Sequence, residues 1–149
     1  MEIHEVTGDK RQYLPLLLLA DEQENMIGRY LDRGTMFVLC EDPGQVIAEC
    51  VVTDEGGGVL EVKNLAVLPE FQGRGFGKKL LLFLAARYTG AYSVMQVGTS
   101  PHNVPFYEAC GFVRHHVVPG FFTAHYDHPI FEDGVQLADM ICLQKRIAG

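Results

Sequence analysis

The segment LEVKNLAVLPEFQGRGFGKKLLLFLAARY, residues 60–88, decides how this chain folds. Its first eight residues are apolar-rich and read as a strand, and its last nine begin with the run Leu80-Leu81-Leu82-Phe83-Leu84, which reads as a helix. Between them lies Gln72-Gly73-Arg74-Gly75-Phe76-Gly77. Glycine at alternate positions removes Cβ atoms where a ligand must approach the backbone and permits positive φ angles that aim successive N–H groups into one concavity. Lys78 and Lys79 follow. The helix that then starts has unpartnered first-turn N–H groups and a dipole that favours negative charge. The implied ligand is a pyrophosphate.

Two common nucleotide motifs do not fit this turn. A P-loop needs glycine five positions before Gly77 and Ser or Thr after Lys78, where the chain has Gln72 and Lys79. A dinucleotide fingerprint starting at Gly75 needs glycine or alanine where Leu80 stands. The spacing present is Gln-x-x-Gly-x-Gly, at Gln72, Gly75 and Gly77, and here the chain resembles the GNAT superfamily of acetyl-CoA-dependent N-acetyltransferases. A second stretch, NVPFYEACGF at 103–112, is similar to that family's short helix ending in Tyr-x-x-x-Gly-Phe, at Tyr107, Gly111 and Phe112. It departs from the common form in one respect: Asn103 stands only four residues before Tyr107, with Pro105 between them.

Working outward, residues 2–6 read as a strand, Leu16 to Ala20 and Glu22 to Leu31 as helical, and Gly34 as a stop. Met36 to Cys40, Val46 to Thr53 and Leu60 to Val67 form a meander, with turns at Asp42-Pro43-Gly44 and across Asp54–Gly58. The helix from Gly75 to Tyr88 is a crossover, so Ser93 to Thr99 reads as a parallel strand. A short helix at Val104 to Ala109, a strand from Phe112 to Val118, an irregular aromatic segment and a last strand from Ala138 to Gln144 complete the chain. The expected class is α/β: one domain over 1–149 with a central, mixed, mostly antiparallel sheet flanked by helices. The resemblance covers Met36 to Val118, and it implies the GNAT fold.

The resemblance also assigns roles. Glu61, eleven residues before Gln72, matches the position where some GNAT members carry a glutamate general base; the alternation Glu61, Lys63 equally fits an outward-facing strand position, and Glu49 on the preceding strand is the other candidate. A base is needed because an alkylamine, with pKa about 10.4, is protonated at neutral pH. Tyr107 is implied as the acid that protonates the departing CoA thiolate, against an ordinary reading as an aromatic anchor. Leu65, Ala66 and Val67 would meet the pantetheine arm through a bulged, splayed backbone, with the Leu65 N–H polarising the acetyl carbonyl. Gln72, Gly73, Arg74, Gly75, Phe76, Gly77, Lys78, Asn103 and Tyr107 complete the implied cofactor contacts. Phe76, Leu80, Phe83 and Leu84 follow helical spacing and read as core.

Composition bounds the rest. The chain has 149 residues, 48% of them hydrophobic and 21% charged, enough for a real core. A net charge of −7 argues against nucleic acid as a main partner and favours a cationic acceptor, an amine. Cys40, Cys50, Cys110 and Cys142 are widely spaced, and neither a zinc site nor a disulfide scaffold is expected, so the expected setting is a reducing cytoplasm. Cys110 lacks a paired His, which disfavours an acetyl-thiol intermediate. The longest apolar run, Leu14 to Ala20 with Pro15 inside, is too short for a membrane span. His125 and His128 flank Asp127, but Pro129 breaks a helix there and no metal is expected. The aromatic stretch 121–129 resembles a bacterial GNAT subgroup bearing an indole-acetic-acid acetyltransferase label. The expected function is acetyl transfer from acetyl-CoA to a primary amine in a ternary complex; a CoA-binding sensor on the same fold is the other reading. The resemblance also admits a homodimer.

Overall fold

In the computed structural model, which describes residues 1–41 and 44–147, the chain forms a seven-stranded sheet. Along the chain come β1 (Glu2–Glu5), α1 (Leu14–Ala20), α2 (Glu24–Gly28), β2 (Thr35–Cys40), β3 (Val46–Asp54), β4 (Val59–Val67) and α3 (Phe76–Tyr88). Then follow β5 (Val94–Thr99), α4 (Val104–Ala109), β6 (Val113–Val118), α5 (Phe121–His125), the hairpin β7 (Phe131–Glu132) and β8 (Val135–Gln136), and β9 (Met140–Arg146). The sheet order is β1-β2-β3-β4-β5-β9-β6, and only β4 and β5 pair in parallel. The crossover helix α3 between them is what makes that pair parallel.

Two apolar cores lie on opposite faces. On one, α3 packs Leu80, Leu81 and Leu84 against Phe37, Leu39, Cys50, Val52, Leu60 and Val62. On the other, Leu17 of α1 and Ile27 of α2, with Tyr30 and Leu31, cover Met36, Val38 and Val51. The central strand β3 is therefore buried on both faces along Ile47–Thr53, as a strand sandwiched between helical layers must be.

Three expectations are corrected. The helix read from Glu22 to Leu31 is confined to Glu24–Gly28. Glycine inside such a short helix costs about 1 kcal/mol relative to alanine, and the carbonyls of Leu31 and Gly34 beyond it are taken instead by the Lys10 ammonium, at 2.9 and 2.6 Å. The aromatic segment read as irregular holds α5 and a hairpin. Gly120, in the left-handed region, starts α5 and donates its N–H to Asp139 at 2.8 Å, and Asp133-Gly134 supplies the two positive φ angles of a tight hairpin turn. The last strand starts at Met140, two residues later than read. The turn read at Asp42-Pro43-Gly44 lies, at its first two residues, outside the described residues.

One residue breaks the apolar pattern of β3. Glu49 is 0% exposed, and neither carboxylate oxygen has a hydrogen-bond partner of good geometry. Burial pushes its carboxyl well above the ordinary carboxylate range, with the Ala66 N–H offsetting a small part. The folded state therefore favours protonated Glu49. The sign follows: its folded pKa exceeds its unfolded value, about 4.3, so its stabilisation is full below that pH and is lost as pH rises toward the folded pKa. Urea midpoints measured from pH 5 to 8 should fall with pH more steeply in the wild type than in Glu49→Gln. Parallel curves would show that Glu49 does not titrate with folding.

Candidate active site

The site begins where the parallel ladder stops. β4 and β5 are registered from Val59↔Val94 to Val62↔Val97, and no pair follows. Opposite, β3 pairs Val52 with Val62 and Val51 with Asn64, leaving Lys63 as an extra residue. This is a bulge, and it bends β4 away from β5. Beyond it the antiparallel ladder with β3 resumes, and the Leu68 N–H donates to Ile47 O at 2.8 Å. Because ladder bonds alternate along a strand, the N–H and C=O of Leu65 and Val67 point the other way, into the gap. The Val67 carbonyl there accepts a bond from Gln72 Nε2 at 3.0 Å. The expected bulge exists, at Lys63, just before the Leu65 and Val67 main-chain groups it liberates.

A cavity of about 860 Å³ runs along this edge. Leu65, Ala66 and Val67 form one wall, Gln72, Gly73, Gly75, Phe76, Gly77 and Lys78 one end, and Asn103 and Tyr107 the opposite side. Gly73 and Gly75 have φ of 77° and 84°, and Gly75 caps α3 without any side-chain bond. The first N–H groups of α3 are thus presented at the cavity end. Gly77 has a different reason to be glycine: a Cβ there would lie 3.1 Å from Cζ of Phe106 on α4. Arg74 stands outside this wall, its guanidinium 5.5 Å from the centre of the Phe71 ring. Of the residues read as core, Leu80 and Leu84 are fully buried, Phe83 is packed against the same core, and Phe76 reaches the cavity.

Tyr107 is buried, with Phe106 and Phe112 edge-on at 5.0 and 5.6 Å between centroids. Burial raises its phenol pKa far above the usual value, so it stays protonated throughout the neutral range. Both roles considered for it, packing anchor and proton donor, are compatible with this position.

A second lobe of about 290 Å³ shares Asp21, Lys63, Thr99, Tyr126 and Glu132 with the first. Glu61 lines this lobe and not the larger one. Its carboxylate pairs with the Lys63 ammonium and accepts from Gln96 Nε2 at 2.6 Å, and Gln144 Nε2 in turn donates to Gln96 Oε1 at 2.8 Å. Glu49 lines neither lobe. Across the lobe, Asp21 accepts from the hydroxyls of Tyr126 at 2.7 Å and Tyr30 at 3.2 Å, and Tyr30 Oη accepts from Asn64 Nδ2 at 3.0 Å. Burial pushes the Asp21 carboxyl up, and the two phenols hold it down in part. Asp21, Tyr30, Asn64 and Tyr126 were not expected from sequence. They come from four separate segments, and no local spacing joins them.

A model of the acetyltransferase (GNAT) domain matches residues 32–114 of the chain. The uncharacterised N-acetyltransferase YvbK of Bacillus subtilis (strain 168) is 34% identical over 148 residues, covering 96% of this chain and 93% of that protein. The protein belongs to the GNAT acetyltransferases.

Solved structures agree with this membership. A GNAT family acetyltransferase from Elizabethkingia anophelis with acetyl-CoA bound superposes with a TM-score of 0.91 at 29% identity, covering 97% of each chain. An IAA acetyltransferase from Bacillus cereus ATCC 14579 gives 0.88 at 32% identity, over 97% of this chain and 98% of that one. A Bacillus subtilis acetyltransferase in complex with CoA gives 0.87 at 29%, over 97% of each. The GNAT fold read from residues 60–88 and 103–112 is the fold observed. Among the described residues, no helix is long and apolar enough to cross a membrane.

The glycine turn of this GNAT chain separates two kinds of constraint. Gly75→Ala should cost about 1–2 kcal/mol, the penalty of a left-handed L-residue, although its Cβ would meet nothing within 4 Å. Any packing cost of Gly77→Ala should instead depend on the Phe106 ring. In double-mutant cycles read by urea unfolding, Phe106→Leu should improve Gly77→Ala by at least about 0.5 kcal/mol and leave the Gly75→Ala cost unchanged.

Proposed function

We propose that this protein transfers an acetyl group from acetyl-CoA to the nitrogen of a primary amine, with both substrates bound together. The observation that carries this is the unpaired edge of β4 lying along a cavity that ends at the glycine turn and the free N–H groups of α3. A thioester with a long amide-bearing arm and a pyrophosphate matches both parts: strand-like hydrogen bonds for the arm, and a cationic nest for the phosphates. The acetyl-CoA and CoA bound in the two relatives support the same reading.

In this reading Gln72 to Lys78 hold the pyrophosphate, Leu65, Ala66 and Val67 the pantetheine arm, and Asn103 contacts the arm from the other side. Arg74 acts only as a screening charge at the rim. The acceptor enters from the smaller lobe as R–NH3⁺. It loses one proton to Glu61, directly or through water, and the neutral nitrogen attacks the carbonyl carbon. The C–N bond forms, and the oxygen's developing charge is met by the Leu65 N–H. Glu61 passes its proton to solvent and takes the second proton from nitrogen, the C–S bond breaks, and the departing sulfur takes a proton from Tyr107, which is reprotonated through solvent as Glu61 is deprotonated. The products are the acetamide, free CoA thiol and one proton to solvent. Lys63 beside Glu61 stabilises the carboxylate and would be repelled by an incoming ammonium; proton loss from the amine relieves that repulsion.

The test is a thiol-release assay with acetyl-CoA across a panel of primary amines, together with thermal shifts. CoA should raise the unfolding temperature, and NAD and ATP should not. Thiol release should require an amine, and Glu61→Gln and Tyr107→Phe should each lower kcat by about 10²-fold with CoA affinity retained. Binding of CoA without amine-dependent release from any acceptor would favour the sensor reading. Turnover near wild type in both variants would remove these two roles.

A further inference from the structure

Four carboxylates line the two lobes: Asp21, Glu22, Glu61 and Glu132. Glu61 is paired with Lys63, and Glu22 lies 2.9 Å from His128 Nε2. Glu132 accepts from the Ser100 hydroxyl at 3.1 Å. Asp21 and Glu132 both lie in the wall shared by the two lobes, are half-buried, and among the described residues have no cationic partner; Asp21 is the one of the two held between phenols. Its partners are two phenols and the Gln23 backbone N–H, all neutral donors.

A half-buried carboxylate costs free energy unless a cation meets it. A carboxylate also has about four acceptor positions, and these donors fill only part of that set. The phenols fix the group rigidly: Tyr30 is itself held by Asn64, and Tyr126 stacks on Phe122 at 5.8 Å and 32°. Phe122 and Tyr126 line both lobes and Phe121 the smaller one, with Met26 and Met140 beside them; Arg29, Arg33 and Lys63 also line the smaller lobe, Arg33 paired with Glu55 and Lys63 with Glu61. Carboxylate and aromatic faces together are the surroundings in which an organic ammonium is well bound. The smaller lobe, about 290 Å³, is at the low end for ligand pockets, which run roughly 300–1,000 Å³.

We propose that Asp21 binds the acceptor's ammonium, and that the acceptor is a compact primary amine whose apolar or aromatic body packs on Phe121, Phe122 and Tyr126. The proposal builds on the acetyl-transfer reading above and separates two acidic tasks within it. Asp21 selects and anchors the cation, whereas Glu61, already neutralised by Lys63, is left to take its proton. An amine that is bulky, heavily hydroxylated or part of a chain would leave these aromatic faces uncovered.

The test uses the full chain saturated with CoA, 2-phenylethylamine as probe and 2-phenylethanol as its neutral counterpart, with affinities from calorimetry at pH 7.5 and 0.15 M salt. The wild type should bind the amine at least tenfold tighter than the alcohol. Asp21→Asn should weaken the amine about thirtyfold, the low end for removing one member of a buried charge pair, and leave the alcohol and CoA unchanged. In turnover with the same amine the loss should fall on KM, in contrast to the kcat loss of Glu61→Gln. An amine affinity within threefold of wild type in Asp21→Asn would overturn the proposal. So would equal binding of amine and alcohol by the wild type, a result that needs no variant to fold. Failure of the wild type to bind CoA at all would be seen first and would overturn the acetyl-transfer reading itself, and this proposal with it.

Discussion

The whole arrangement depends on one broken ladder. β4 and β5 begin as a regular parallel pair and part after Val62 and Val97. Parting leaves backbone donors and acceptors unpaired in the middle of a sheet, a cost of about 1–3 kcal/mol for each group that is buried without a partner. A fold keeps such a gap only if something else satisfies it. Here the gap opens into the larger cavity, so water or a bound chain can supply the missing bonds, and Gln72 already supplies one at Val67. The helix α3 enforces the geometry from outside. It crosses from β4 to β5, and its glycine turn has to start at the wide end of the gap. The glycine turn and the strand-like edge are therefore two ends of one structural solution.

Charge differs between the two lobes. The glycine-turn end of the larger cavity holds Lys78 and the positive end of a helix, whereas the smaller lobe holds Asp21, Glu61 and Glu132 together with Arg29, Arg33 and Lys63. The carboxylates around the smaller lobe have different partners. Glu61 is compensated by a lysine and an amide, and Asp21 by two phenols. Glu49, one strand away, is compensated by neither and is held in favour of its neutral form by burial. Glu49 also lies outside both lobes.

Most of the sheet was legible because its signals are local. The alternation of 60–67, the glycine turn and the apolar run of α3 lie within one stretch, and a crossover helix obliges the next strand to be parallel. Tyr107 and Gly111-Phe112 were legible for the same reason. The acceptor side was not. Asp21 follows a short helix, Tyr30 lies in a turn, Asn64 on a strand and Tyr126 in the aromatic segment, and the hydrogen bond from Tyr126 to Asp21 spans 105 positions. Only tertiary packing brings them together. One missed feature did carry a local signal: Asp133-Gly134 between Phe131-Glu132 and Val135-Gln136 is a two-residue hairpin turn. Gly77 carried a misleading one, since its backbone φ is not positive and what a Cβ there would meet is the Phe106 ring, at 3.1 Å.

The bulge at Lys63 links the two halves of the site through side-chain alternation. On an unbroken strand, residues two apart share a face, so a single extra residue exchanges the faces of everything after it. Glu61 faces the α1 and α2 layer, opposite Thr53, and without the bulge Leu65 and Val67 would follow it there. With Lys63 inserted, Asn64 and Ala66 take that face, and Leu65 and Val67 pack toward the α3 layer. Asn64 can then donate to Leu17 O at 3.1 Å and to Tyr30 Oη, which sets the hydroxyl that Asp21 accepts. The inserted Lys63 meanwhile lies beside Glu61. One residue thus parts β4 from β5, places a cation beside Glu61, and sets the face from which Asn64 orients the tyrosine hydroxyl that Asp21 accepts.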